Sequence, residues 1–385
     1  MTSLYRNLSD EQIQLRHTVR KFAEEVIKPV ARKLDEEEEF SYEMTEKLAE
    51  IGFLGATIPE EYGGSDLDYL SYLVLVEELA RVDSSQAITV AAHNSLGIGP
   101  ILNYGNEQQK EYLLPKLTNH LWGFGLTEPD AGSDAGNTKT RAYQVGEDWK
   151  INGSKIFITN ASTKITLGSS VLTVTGQQPD GRKEYTTFIV YNGTEGFEAK
   201  AMKGKMLWRA SNTSELYFND CIVSSDNILG QRGDGFKQML ATLDKGRLSI
   251  AAMSLGLAQG AYELALKYAK ERKTFGRNIS TYQSIAFKLA DLEAGIELGR
   301  TYLYDVVKML EKGEKITKES AIVKLYCSEL AHKAADHCVQ IHGGYGLMKE
   351  YDAERFYRDQ KILEIGEGTS EIQRLVIARM IGCFD

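Results

Sequence analysis

No stretch of this 385-residue chain is apolar for long enough to span a bilayer. Cysteine is scarce. Its four residues, Cys221, Cys327, Cys338 and Cys383, lack metal-ligand spacing and read as thiols of a reducing compartment, not as a disulfide framework. The six histidines form neither an HxH nor an HExxH pattern, which argues against metal catalysis. Positive charge is in deficit, and a net charge of −9 gives no electrostatic support for nucleic acid or an anionic membrane as partner. The opening residues Met1-Thr2-Ser3-Leu4-Tyr5 hold no apolar leader core and have no transit-peptide character. What is present is the composition of a soluble globular protein, 42% hydrophobic and 26% charged, and long enough for two or three domains. The cytoplasm is its expected location.

The texture of the chain divides it in three. Residues 1–118 read as an N-terminal helical domain. Ser9-Asp10 caps a pattern with Ile13, Leu15, Val19, Phe22, Ala23 and Val26 at helical spacing, and helical patterns resume over 67–81, 87–105 and 107–117. The acidic run 35–39 reads as a solvated helix end and residues 58–64 as a turn. Residues 119–231 are short β-branched and aromatic segments punctuated by Gly, Asn and Asp, which predicts a middle domain built as a small antiparallel β-barrel or sandwich. Within it, 149–158 predicts two strands around an Asn152-Gly153 turn, and 171–175, 186–190 and 215–218 predict three more. Residues 232–385 turn helical again, with patterns over 236–270, 281–312, 317–343 and 370–381. Small residues punctuate the first of these at Gly246, Ala251, Ala252, Gly256, Ala258 and Gly260, and the whole predicts a four-helix bundle. The expected fold is mostly α with a central β domain.

The run Ile365-Gly366-Glu367-Gly368-Thr369-Ser370-Glu371-Ile372-Gln373 is the most informative. Glu367 sits between two glycines, just before an amphipathic helix whose start Ser370 and Gln373 mark as a capping box. Small neighbours leave its carboxylate free to point into a cavity; standing alone, a Glu on such a turn reads as simply solvated. Elsewhere, the small residues and hydroxyls of 126–134 allow close backbone approach and hydrogen bonds to a ligand ring or phosphate, or form an ordinary surface turn. Phe157 offers an apolar face or a core strand position. Asp244 and Arg247, three apart on one helix, share a face, with an intrahelical ion pair as the plainer reading. The Gly343-Gly344 helix end is not a dinucleotide fingerprint, since no strand precedes it, and a simple C-cap would also explain it. His342 reads as packed or hydrogen-bonded, and Arg355 and Arg358 as partners of nearby acids.

In chain order the motifs are Leu126-Thr127-Glu128-Pro129-Asp130-Ala131-Gly132-Ser133-Asp134, Lys155-Ile156-Phe157-Ile158-Thr159-Asn160-Ala161 and Asp244-Lys245-Gly246-Arg247. Then follow Arg272-Lys273-Thr274-Phe275-Gly276 with Tyr282-Gln283, Gln340-Ile341-His342-Gly343-Gly344-Tyr345-Gly346, Glu354-Arg355-Phe356-Tyr357-Arg358-Asp359 and the Glu367 turn. On a helix–β–helix background this series resembles the acyl-CoA dehydrogenases of short- or branched-chain type, over nearly the whole chain.

The resemblance implies FAD held between the β domain and the bundle, and a homotetramer. It implies α,β-dehydrogenation of an acyl-CoA thioester to the trans-2-enoyl-CoA, with electrons passed to electron-transfer flavoprotein. It makes Glu367 the catalytic base, and makes the Glu367 N–H and a ribityl hydroxyl the donors to the thioester oxygen. FAD would be touched by Leu126, Thr127, Ser133, Phe157, Ile158, Thr159, Arg272, Gln283, Gln340, Gly343, Gly344, Thr369 and Glu371. Arg272 would face the diphosphate, which a guanidinium suits by its paired donors. Ser133, Asp244, Arg247 and Gly368 would touch the acyl-CoA. Some relatives carry the base on the long helix beside the Asp-x-x-Arg motif; that position here is Gly246, which cannot serve. The chain departs from common family choices at Asp130, at Phe157 in place of Trp and at Gly366 in place of Tyr, the last leaving more room near the base. Ala87 stands where dicarboxylyl-CoA relatives place an arginine, which argues against such substrates. Two alternatives within the fold are an O2-reducing oxidase, usually longer, and a non-catalytic flavin- or acyl-CoA-binding member, usually with a basic C-terminal extension.

Overall fold

The computed structural model describes residues 7–384. The segment 1–5, read above as free of a leader, lies outside the described residues. Ser9 caps α1 (Asp10–Phe22) in a reciprocal box with Gln12, and the helix runs through a π turn, Ala23–Ile27, into α2 (Lys28–Glu37). α3 (Tyr42–Glu50) is capped by Ser41, α4 (Tyr69–Ala80) by Asp68 and α5 (Ser84–Ala92) by Asp83. The expected helix over 87–105 is broken into α5, a π segment at His93–Ile98 and α6 (Gly99–Tyr104), before α7 (Glu107–Leu113). The acidic run is not wholly solvated. Asp35 is buried, because the Arg358 guanidinium reaches it at 2.6 Å.

The middle region is one seven-stranded sheet in the order β1 (Leu121–Gly125), β4 (Thr166–Gln177), β2 (Arg141–Val145), β3 (Asp148–Thr159), β7 (Thr213–Ser224) and β6 (Phe197–Ala201), with β5 (Lys183–Tyr191) paired to β4. Pairing is mostly antiparallel, but β1 lies parallel to β4, so the sheet is mixed. No hairpin forms at Asn152-Gly153. β3 continues through as one strand, with its register against β7 shifting between Ile151 and Gly153, because the Asn152 amide bonds Asp220 of β7 and Gly153 lets the backbone press against Thr140. The tight turn lies instead at Gly146, between β2 and β3.

α8 (Gly235–Glu271), α9 (Gln283–Glu311), α10 (Thr317–His342) and α12 (Ser370–Met380) form the C-terminal helical domain, with the short α11 (Ala353–Asp359) ahead of the last. α4 and α5 share a continuous apolar core with these helices. The α4–α8 approach needs Gly256 and Gly260: a Cβ at either would lie 2.1 Å from the Glu77 or Arg81 carbonyl oxygen.

Inside that contact lies a buried ionic network. Glu77 takes Arg16 of α1 and Arg300 of α9, each at 2.8 Å, while Glu78 takes Arg20 at 2.8 Å and Arg81 at 3.1 Å. Removing one member of such a cluster strands the others without water. Glu77→Ala is expected to cost about 3–5 kcal/mol in urea unfolding, with α9 loosening from α4; a cost below about 1 kcal/mol, typical of exposed pairs, would show the network to be redundant.

Candidate active site

Beyond α11 the chain winds through a 3-10 turn, Gln360–Glu364, and reaches α12 by residues 365–369. The Ile365 and Gly366 N–H groups both donate to the Ile362 carbonyl, at 2.9 and 2.7 Å. Glu367 then adopts φ +54° and Gly368 φ +97°. The left-handed conformation costs a non-glycine residue about 1 kcal/mol. Two buried side chains hold it. Gln373 Nε2 donates to the Glu367 carbonyl at 3.2 Å and to that of Gly368 at 2.8 Å, and Lys324 Nζ donates to the Gly368 carbonyl at 2.8 Å. Thr369, not Ser370, caps α12, its hydroxyl accepting from the Ile372 N–H at 3.3 Å. The expected capping box does not form because Gln373 is drawn back to the turn.

This conformation aims the carboxylate inward, onto Gly246 of α8. A Cβ at position 246 would lie 2.1 Å from Glu367 Oε2 and 3.0 Å from Leu96 Cδ2. Oε2 is sealed from solvent and has no hydrogen-bond partner among the described residues. Burial pushes the carboxyl up to about 7, against the opposing pull of Lys324 and Arg247. Glu367 is therefore not a solvated turn residue. Its backbone N–H has no acceptor among the described residues.

Arg247 Nη1 donates to Asp244 Oδ1 at 2.7 Å, the intrahelical pair that spacing allowed, and Thr317 Oγ1 bonds Asp244 Oδ2 at 2.8 Å. The pair is near enough to the turn for Arg247 to act on the Glu367 charge. Across from it, Tyr69 of α4 donates to the Lys245 carbonyl at 2.8 Å. Leu96 belongs to the π segment, whose extra residue per turn re-aims side chains.

A second group of predicted residues meets at the β1–β3 edge. The Ile156 N–H donates to the Thr127 carbonyl at 2.9 Å, and a buried ion pair, Lys155 Nζ to Glu128 Oε1 at 2.7 Å, rivets the loop after β1 to β3. Lys155 also donates to the Leu126 carbonyl at 3.1 Å. Thr127 and Thr159 are half-buried, while Ser133 is exposed on the loop. Phe157 is 62% exposed with φ +60°, where the β3–β7 register shifts. It is not a core residue. Leu126 packs among Leu172 and Met239 and Ile158 packs in the sheet core, so each can meet a ligand only through a small edge or its backbone.

The third group lies at an open cavity of about 500 Å³ that brings Arg272, His342, Gly343 and Gly344 together. Among the described residues Arg272 makes no ion pair, and its guanidinium lies 5.8 Å from the centre of the Tyr345 ring. His342 stacks on Tyr268 and its Nδ1 bonds the Cys338 carbonyl at 2.7 Å, as a packed histidine does. Gln283 and Gln340, both exposed, do not line this cavity. Thr369 is taken up by its cap, and Glu371 is exposed in the first turn of α12. Arg355 and Arg358 pair with Asp83, Asp352, Asp35 and Glu354, as expected.

The sequence reading missed Lys324 and Tyr69. Lys324 left a signal, a lysine on the buried face of α10 among Ser320, Ala321, Cys327 and Ala331. Tyr69 left none, because nothing local says which helix faces the turn.

Comparison with known proteins accords with this geometry. Family models for the acyl-CoA dehydrogenase N-terminal, middle and C-terminal domains match residues 9–120, 123–221 and 233–382. A probable acyl-CoA dehydrogenase of Bacillus subtilis, YngJ, is 46% identical, covering 97% of this chain and 98% of its own. The caffeyl-CoA reductase–Etf complex subunit CarC of Acetobacterium woodii is 39% identical over 97% of this chain and 98% of its own. The solved butyryl-CoA dehydrogenase of Megasphaera elsdenii superposes with a TM-score of 0.93 at 38% identity, covering 97% of this chain and 99% of that one. Sequence and fold, along essentially the full length, make this chain a member of the acyl-CoA dehydrogenase family of FAD-dependent oxidoreductases.

Proposed function

We propose that this enzyme dehydrogenates a short-chain acyl-CoA at Cα–Cβ, with Glu367 as the base. The observation that carries the reading is a single one: a carboxylate oxygen, sealed from water and without a partner, resting on a helix glycine. A carboxyl held near neutrality is matched to removing a weakly acidic α-proton at physiological pH. As the proton moves to Glu367 Oε2, negative charge grows on the thioester oxygen, and the unpaired Glu367 N–H is a preorganised donor for it. Arg247, steered by Asp244, is the cation for the CoA portion, with Ser133 and Gly368 as further contacts.

The chain's residues fit FAD. Phe157 presents an uncovered ring beside Thr127 and Thr159, and the Arg272 cavity offers an uncommitted guanidinium beside two glycines with nothing within 4 Å of their would-be Cβ atoms. Thr369 and Glu371, beside the base, complete the proposed contacts, with Leu126 and Ile158 limited to their backbone. FAD, when bound, supplies the acceptor for the β-hydride. Arg272→Ala is expected to purify with less than half the flavin of the parent protein while the residual holoenzyme keeps its kcat, read from the 450 nm to 280 nm absorbance ratio; a full flavin complement would remove Arg272 from the diphosphate site.

Electron-transfer flavoprotein as acceptor is supported by the Etf-complex relative. Homotetramer assembly is supported by apolar side chains left bare on the monomer, Phe275 at 96% exposure above all. The four free cysteines suit a cytoplasmic site. The deciding experiment mixes holoenzyme anaerobically with butyryl-CoA. Flavin bleaching, followed by reoxidation by electron-transfer flavoprotein faster than by O2, is the expected result. Absence of bleaching across short, branched and aromatic acyl-CoAs would end the dehydrogenase reading, and faster reoxidation by O2 would make the enzyme an oxidase.

A further inference from the structure

Lys324 is fully buried on α10, yet among the described residues it forms no ion pair. Among the described residues its hydrogen bond goes to the Gly368 carbonyl, at 2.8 Å. A buried ammonium without a carboxylate partner is costly, and a carbonyl alone does not require one. Gln373, a neutral side chain, binds the same carbonyl at the same 2.8 Å. The difference between the two is charge, and the charge faces Glu367. Other groups act on that carboxyl from the surrounding elements. Arg247 on α8 is already committed to Asp244, and Tyr69 and Tyr72 on α4 are held neutral by burial. Glu364 and Glu371, flanking the turn, act on Lys324.

Resting on Glu367 as the base, we propose that Lys324 is its positioning residue: one ammonium pins the left-handed turn through Gly368 and stands as the counter-charge to the buried carboxylate. It does not touch substrate. It decides where the carboxylate sits and how readily it is ionised before substrate arrives. Burial disfavours both charges, drawing Glu367 up to about 7 and Lys324 down to about 8, and the attraction between the two opposes burial at each group.

Three variants separate the two roles, each assayed as holoenzyme with butyryl-CoA across pH 5.5–9.5 and checked for flavin content and melting temperature. Lys324→Gln keeps a donor for Gly368 and removes the charge; the acid limb of kcat/KM is expected to move up by about one pH unit or more, since an opposite charge nearby is worth about 1–3 units. Lys324→Met removes both, and adds a lower kcat at the high-pH plateau. Lys324→Arg keeps the charge and is expected to hold the limb within about 0.3 unit of the parent, small against the 1–3 units at stake. An unshifted limb in the Gln variant overturns the proposal, and so does an Arg variant displaced as far as Gln; either suffices if another variant fails to fold. Glu367→Gln serves as the control. If it retains activity, the base assignment itself has failed; if it is dead while Lys324→Gln titrates like the parent, only the role of Lys324 has.

Discussion

Glu367→Gln is expected to yield a folded, yellow protein whose turnover of butyryl-CoA is slowed by about 10³-fold or more, near the upper range of general-base contributions. The amide keeps the shape of the carboxyl and its place over Gly246, so flavin content should match the parent. In the parent, kcat/KM should rise with pH and level off through about 7, where the buried carboxyl ionises. The variant should lack that limb. Stability moves the other way. Glu367 binds its proton more tightly folded than unfolded, its value being raised from 4.5 to about 7. The folded state is therefore penalised as pH climbs from about 4.5 to 7, and the penalty is complete above that window. Gln does not titrate. The variant should thus melt higher than the parent at pH 8 and equal to it at pH 4.5, as far as flavin remains bound. Near-normal turnover with an intact acid limb would move the base to another residue.

Gly246→Ala is expected to lower kcat by about 10²-fold, the cost of a displacement of about 1 Å at a reacting group, while the fold and flavin survive. The new methyl would lie 2.1 Å from Glu367 Oε2, and 3.0 Å from Leu96 Cδ2. Both obstructing atoms are ends of side chains, so the core can give way. What cannot stay is the carboxylate position. The same contact explains why the long-helix base position and the Glu367 position are mutually exclusive in space: the carboxylate occupies the volume a side chain at 246 would fill. Stopped-flow measurement of flavin reduction separates this loss from slow product release. An unchanged reduction rate would mean that the carboxylate works from a different rotamer than the one observed.

Much of this was legible in the sequence because it is local. Helix periodicity, the Ser9 box and the change of texture near Leu121 report on neighbours within a few residues, and the structure keeps them. Ordered motifs likewise singled out Glu367, Asp244, Arg247 and the Gly343-Gly344 turn. The errors came where a distant partner overrode a local signal. Asn152-Gly153 has turn chemistry, but pairing with β7 spends the Asn152 amide on Asp220 and leaves one continuous strand with a register shift in place of a hairpin. The run 35–39 has the charge of a solvated helix end, but Arg358 captures Asp35. Gln373 matched a cap and was drawn to two carbonyls instead.

From sequence alone came the three-part architecture, the family resemblance and the one carboxylate on which the chemistry is proposed to turn, since residue order and spacing carry those. The tertiary structure alone decided that Glu367 Oε2 is dry, that it rests on Gly246, that Lys324 stands behind the turn and that Phe157 is bare while Ile158 is not. Proton affinity and accessibility depend on which groups lie within a few ångströms, and these come from α4, α8, α10 and the turn, elements far apart along the chain that only packing brings together.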